Sequence, residues 1–294
     1  MTDLATERTP EPLGAGITSD CYTDNMGIKV TEVNVNSAVG ARAVGRPKGR
    51  YVTFEIASLS EASESVRLSL SYNICKVIGQ MLGNGKNVLV VGLGNRNMTA
   101  DALGASVADK IMVNRHDPGQ TSAVLSAISP GVLGVTGIET YDIIKGVIEK
   151  THPDAVIVVD SLASRKADRI SSAFQVTDTG IVPGAGVGNH RFGLSKKTLG
   201  IPVIAVGVPF VVFASSISID AVRQLIEKYP DFRPSDELMN RIVSDLTTEY
   251  LRGLVVTPKD IDLLVKDCAQ IISLAINSAV LKIGIKDLLV NMRC

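Results

Sequence analysis

Ala155-Val156-Ile157-Val158-Val159-Asp160 is an unbroken apolar run, largely β-branched, that stops at an acid. A run of this length without alternation marks a strand buried on both faces, and the acid that closes it stands at the strand's carboxyl end. Val88–Val91 and Val203–Val208 repeat the pattern upstream and downstream. Around them the spacing of apolar residues predicts helices over Ala100–Ile111, Ile138–Lys150 and Ser218–Lys228. Strands alternating with helices imply a mostly parallel sheet with helices on both sides, so the expected fold is α/β with three α/β/α layers. Ile28–Val35 and Tyr51–Ile56, on either side of Gly45-Arg46-Pro47-Lys48-Gly49, read as an added N-terminal β hairpin or adjoining strands. Ser60–Leu82 sets Val66, Leu70, Ile74, Val77, Ile78 and Met81 on one helix face. Thr257, Pro258 and Asp260 open a last amphipathic helix that runs to about Ile283. Residues 1–26 are rich in Thr, Pro, Gly and Asp without an apolar period. They read as a mobile arm, leaving 27–294 as a single α/β domain.

Composition narrows the function. Of 294 residues, 45% are hydrophobic and 20% charged, which excludes a disordered or fibrous chain. Lys plus Arg (30) equals Asp plus Glu (30), so the basic excess expected of a direct nucleic-acid partner or a membrane-surface binder is missing. Cysteines 21, 75, 268 and 294 include no C-x-x-C pair, which fits neither a disulfide framework nor a zinc cluster and leads us to expect a reducing cytoplasm. The first residues lack a basic and apolar leader, and no uninterrupted apolar run reaches membrane-spanning length. The chain is therefore expected to stay in the compartment where it is made.

In open parallel sheets, ligands bind outside the carboxyl ends of the strands. Val90-Val91-Gly92-Leu93-Gly94-Asn95-Arg96-Asn97 runs from strand into a glycine turn and a polar loop, and Asp101 follows near a helix start. Asn97 stands where the third glycine of a dinucleotide fingerprint would be, and no phosphate-loop lysine is present, so nucleotide binding is weakly supported. Asp101 is either a helix-capping acid or a reactive one, and Asp160 either caps the next element, pairs with Arg165, or reacts. If their strands are neighbours, the two carboxylates share one crevice. They then cannot both ionise cheaply, and one pKa rises, as general acid and base chemistry requires without metal or cofactor.

Two glycine-rich segments, 129–140 and 177–190, allow the close approach of an extended peptide. Asn95, Asn97, Arg115, His116, Thr136, Glu139, Arg165 and Asp178 are accordingly the candidate substrate-binding residues. His116 and His190 read as hydrogen-bonding loop residues rather than metal ligands, and His152 as a surface residue. Asp178-Thr179-Gly180 resembles the pepsin triplet only superficially, since it occurs once and in an α/β pattern. No G-x-S-x-G elbow is present, and Cys75 and Cys268 fall on apolar helix faces.

Asp101-Ala102-Leu103-Gly104, Thr136-Gly137-Ile138-Glu139-Thr140, Val159-Asp160, Asp178-Thr179-Gly180-Ile181, Gly186-Val187-Gly188-Asn189, Leu194-Ser195-Lys196 and Pro202–Pro209 fall in one order. Together with Val256-Thr257-Pro258-Lys259 they resemble the germination protease of spore-forming bacteria, over about residues 29–280. The resemblance implies an atypical aspartic-type endopeptidase that degrades small acid-soluble spore proteins, with Asp101 and Asp160 as its catalytic pair. It further implies a homotetramer in the spore-core cytoplasm, made as a zymogen and processed at a Thr-Asp-Leu-Ala stretch. Here that stretch is Thr2-Asp3-Leu4-Ala5, which puts the processing site at Asp3 and Leu4 and leaves almost no pro-segment. Arg96, Ala100 and Phe210–Ala214 depart from the family pattern. The opening G-x-G-N with its acid is also similar to hydrogenase-maturation endopeptidases. That supplies a metal-dependent alternative in which Asp101, Asp160 and His116 or His190 hold an ion. A non-catalytic peptide-binding module is a third reading.

Overall fold

The computed structural model describes residues 2–10, 12–117, 119, 123–184, 192–229, 234–246, 251 and 253–291. Its strands are β1 (Ile17–Thr23), β2 (Lys29–Val35), β3 (Gly49–Glu55), β4 (Asn87–Gly92), β5 (Val124–Ile128), β6 (Ala155–Ser164), β7 (Ala173–Thr177), β8 (Val203–Phe213) and β9 (Val255–Val256). Its helices are α1 (Ala38–Val44), α2 (Glu64–Leu82), α3 (Leu103–Ala108), α4 (Leu133–Thr136), α5 (Thr140–Thr151), α6 (Lys196–Leu199), α7 (Ala214–Lys228), α8 (Asp236–Leu246), α9 (Ile261–Leu281) and α10 (Ile285–Asn291). All the strands form one sheet in the order β1-β2-β3-β7-β8-β6-β4-β5, with β9 beside the end of β8. The four strands β5, β4, β6 and β8 are parallel, and the β8-β7-β3-β2-β1 side is antiparallel. The fold is therefore α/β with a mixed sheet whose centre is parallel.

One face carries the main core, where Ile157, Val159, Val206 and Val208 meet α2, α3 and α9. On the other face Val156, Val158, Leu89 and Val91 pack against Ile144 of α5. The alternation along β6 explains why its sequence reads as continuously apolar: both faces are covered. Helix α9 has the length and hydropathy of a membrane span, but 72% of its apolar window is buried inside the protein, as in a core helix.

Several boundaries differ from those read in the sequence. Ser63 accepts a hydrogen bond from the Val66 amide and so caps α2, which starts at Glu64 rather than Ser60. The expected helix over Ala100–Ile111 divides into a 3-10 turn, Thr99–Asp101, and the short α3. Helix α9 begins only at Ile261, and Thr257 stands instead on a cavity wall. The expected hairpin is not a tight one, because α1 lies between β2 and β3.

The first 26 residues are also not an irregular arm. Residues 17–23 form β1, paired along its whole length with β2. Leu4 and Ala5 are fully buried, Ala5 against Val33, Val35 and Tyr51 and Leu4 against Leu162 and Ala173. This segment covers the antiparallel part of the face on which α5 packs, where Val33, Val35 and Tyr51 would otherwise meet water.

Candidate active site

Strand β4 pairs with β6 as far as Gly92 opposite Val159, and the Leu93 amide then donates to the Val159 carbonyl at 2.8 Å. Beyond that point β4 turns off into its loop while β6 continues beside β8 to Ser164. Asp160 is thus the first residue of β6 past the end of β4. The residue is 6% exposed, and one carboxyl oxygen accepts the Ser161 amide at 2.9 Å. Burial, reinforced by the charges of Asp101 and Asp3, pushes its carboxyl well above the usual range.

Asp101 arrives from the β4 loop, at the end of the 3-10 turn, and its carboxylate accepts the Asn95 amide at 2.7 Å. Two glycines make this approach possible. Gly94 has φ +96°, and a Cβ there would lie 1.9 Å from the Asp101 carbonyl oxygen. A Cβ on Gly104 would lie 2.5 Å from the Val159 carbonyl, so only glycine lets the start of α3 sit against the end of β6.

Asp101 and Asp160 line one cavity of about 420 Å³. Asp3, Gly131, Leu162 and Pro183 contribute to the same wall. A carboxyl of raised proton affinity that shares a cavity with a second carboxyl is an arrangement in which one group can give a proton while the other takes one.

The remaining sequence candidates are not brought to this cavity. Arg115 bonds Asn87 Oδ1 (3.3 Å) and the Thr151 carbonyl (3.0 Å) at the opposite, amino end of β4. His116 is exposed in a separate groove with Val113 and Ser126. Arg96 is paired with Asp109, Nη2 to Oδ1 at 3.0 Å. Asp178 accepts the Arg50 amide at 2.8 Å, and so joins the ends of β7 and β3. Arg165 is exposed, and its amide donates to Glu7 at 2.8 Å. Thr136 is exposed and hydrogen-bonds the backbone of Val132 and Ile138, and Glu139 precedes α5; their neighbours Gly131, Val132 and Thr140 reach the cavity instead. Asn95 and Asn97 shape the Asp101 loop, the Asn97 amide donating to Asn95 Oδ1 at 3.0 Å. His190 lies outside the described residues. Among the described residues no group of three or more His, Cys, Asp or Glu side chains could hold a metal ion.

Sequence reasoning missed two groups near the site, Arg46 and Gln175, and the seating of a third, Asp3. Arg46 had been assigned to a turn, yet its guanidinium pairs with Asp3 at 3.2 Å. Gln175 is buried on β7, and its carboxamide oxygen accepts the Ala5 amide at 2.7 Å. Asp3 itself was expected in a mobile arm, whereas its amide donates to the Ala163 carbonyl at 2.9 Å and its carboxylate accepts the Ala163 amide at 3.0 Å. The one available signal was Gln175, a polar residue inside the otherwise apolar Ala173-Phe174-Gln175-Val176.

Comparison with known proteins now bears on this geometry. Residues 14–249 match the family model described as germination protease. The chain is 41% identical to a germination protease of Caldanaerobacter subterraneus over 86% of this chain and 85% of that protein. It is 34% identical to the germination protease of Bacillus subtilis over 87% and 84%. A solved [NiFe] hydrogenase maturation protease, HycI from Thermococcus kodakarensis, is 17% identical and covers 67% of this chain and 98% of its own, with a TM-score of 0.32. That likeness is too loose to bear on the chemistry. The family match and the identities hold across most of the length, and the chain belongs to the germination protease family, whose members are peptidases acting in spore germination.

Proposed function

We propose that this peptidase is of an atypical aspartic type and that it degrades small acid-soluble spore proteins during germination. The observation that carries the mechanism is the buried Asp160 carboxyl, which lines the same cavity as Asp101 and whose hold on its proton is strengthened by burial and by the charge of Asp101. In this reading Asp101, as carboxylate, takes a proton from a water in the cavity, and the resulting hydroxide adds to the scissile carbonyl carbon. Asp160 delivers its proton to the leaving nitrogen as the C–N bond breaks. Product release and proton exchange with solvent then return both groups to their starting states.

Under the same reading the enzyme needs no cofactor and works as a homotetramer in the spore-core cytoplasm, and the Asp3-Leu4 bond is its processing site. Asp101→Asn and Asp160→Asn should each abolish cleavage of a purified small acid-soluble spore protein, read by mass spectrometry of the fragments. The double variant should be little worse than either single one, because the two groups act in one step. Cleavage surviving in folded Asp160→Asn would overturn the assignment. Activity lost to a chelator and restored by nickel or zinc would favour the metal-dependent alternative. Light scattering should return roughly four times the 31.1 kDa chain mass.

A further inference from the structure

Ser161 follows Asp160 on β6 and lines the same cavity as Asp101 and Asp160. Consecutive strand residues point to opposite faces, but β4 has ended beside them and the cavity follows that open edge of β6, so both residues border it. Two backbone amides of this wall are already engaged. The Ser161 amide donates to Asp160 Oδ1 at 2.9 Å, and the Asn95 amide to Asp101 Oδ2 at 2.7 Å. The Ser161 hydroxyl is different: its Oγ is shielded from solvent and has no hydrogen-bond partner among the described residues.

A buried hydroxyl without a partner costs a fold about 1–3 kcal/mol that alanine in its place would not. Val159, two residues before, and Ala163, two residues after, are apolar and buried, so packing alone would be served by a methyl group. The cavity itself indicates what the hydroxyl meets. Its described lining holds three acids, Asp3, Asp101 and Asp160, and no Lys, Arg or His. When a water oxygen adds to a peptide carbonyl, an electron pair moves onto the carbonyl oxygen, and an oxyanion so close to carboxyl groups needs a donor. With no cation in the described wall, that donor is neutral. Of the other lining hydroxyls, Thr140 Oγ1 donates to the Gly131 carbonyl at 3.5 Å, and Thr257 is exposed.

We propose that Ser161 is a further catalytic residue, its hydroxyl the donor that stabilises the oxyanion formed as water adds to the scissile carbonyl. This inference rests on the peptidase reading above. The hydroxyl keeps its proton throughout. It donates a hydrogen bond while the carbonyl oxygen holds the electron pair, and that pair returns to re-form the carbonyl as the C–N bond breaks. Asp101 and Asp160 carry the proton transfers. An interaction strongest at the oxyanion stage raises turnover more than it tightens binding.

The test uses the full chain and a purified small acid-soluble spore protein. Ser161→Ala should lower kcat by about 100-fold or more while KM stays within about twofold, as for other single oxyanion donors. Its thermal midpoint should equal or exceed that of the wild type, because the hydroxyl removed is an unpaired one. Ser161→Thr keeps a hydroxyl and should recover at least about a tenth of the wild-type kcat. Wild-type kcat in Ser161→Ala, a threonine variant as slow as the alanine one, or a fall in midpoint accompanying the lost turnover would overturn the inference. So would an acyl group found on Ser161 by intact-mass measurement, which would make the residue a nucleophile. Failure of the reading beneath it shows separately: the wild type would leave the spore protein intact, or folded Asp160→Asn would still cut it.

Discussion

Asp160 sits in a position that favours its neutral form, and that has a consequence for stability as well as for proton transfer. Its folded pKa lies well above the ordinary aspartate value of 3.8, chiefly through burial, while the unfolded side chain ionises near that value. Raising the pH through this window therefore favours the unfolded state, so the group's contribution is intact below about 3.8 and is lost as pH approaches the folded value. Asp160→Asn should remove the loss. The variant should gain stability over the wild type as pH rises from 4 towards 7, by about 1.4 kcal/mol for every tenfold change in proton affinity. Urea unfolding at several pH values measures it, and equal pH dependence in the two proteins would contradict the assignment. Gly94 makes the complementary case, where no charge is involved. Its left-handed backbone and the nearby Asp101 carbonyl leave no room for a Cβ. Gly94→Ala should cost about 1–3 kcal/mol and displace Asp101, lowering turnover well before it unfolds the chain.

At the scale of elements, the segment Thr2–Arg8 owes its place to more than Leu4. Glu7 accepts bonds from Ser164 Oγ (2.9 Å) and the Arg165 amide (2.8 Å), and it pairs with Arg169 at 3.3 Å. Burial alone would push its carboxyl up. The Thr2 hydroxyl, the Arg165 amide, the Ser164 hydroxyl and the Arg169 guanidinium outweigh that and hold it below the ordinary glutamate value of 4.5. A lowered carboxylate stabilises the fold above its unfolded pKa, and that stabilisation is lost as pH falls through the folded value. The segment should thus loosen on acidification. Glu7→Gln should loosen it at neutral pH by about 1–3 kcal/mol, seen as faster amide exchange over residues 2–8 while β4 and β6 stay protected. Helices α2 and α9 were legible in the sequence because each has a single apolar stripe or an apolar whole, whereas β1, β5 and β7 were not. Ala173–Thr177 is too short, and its Gln175 and Thr177 break the apolar run for reasons that lie in another part of the chain.

Over the whole molecule, the parallel centre and the antiparallel flank meet at β8, and residues 2–8 bridge the two across one face. Leu4 touches Leu162 of β6 and Ala173 of β7, and Ala5 reaches Val33 and Tyr51 of β2 and β3. Leu4→Ala should therefore cost about 2–4 kcal/mol, as other buried leucines do, and lower the thermal midpoint by several degrees. A shift under one degree would mean that the segment leaves its seat without consequence for the rest. The same seat explains why the pairing of Asp3 with Arg46 went unread: the two are 43 residues apart, and nothing local in either stretch points to the other.

The features legible from the amino-acid order alone are those that depend on neighbours along the chain. The β-branched runs dictate β4, β6 and β8, the glycines dictate a tight loop after β4, and the acids at 101 and 160 stand at strand ends because strands stop being apolar where they leave the core. Tertiary structure decided which of those strand ends adjoin, and hence that Asp101 and Asp160 border one cavity while Arg115 and His116 do not. It also turned an arm that reads as mobile into a buried strip. Thr, Pro and Asp carry no apolar period, but an uncovered sheet face needs only Leu4 and Ala5 to be closed, and side chains distant in sequence provide the bonds that hold them.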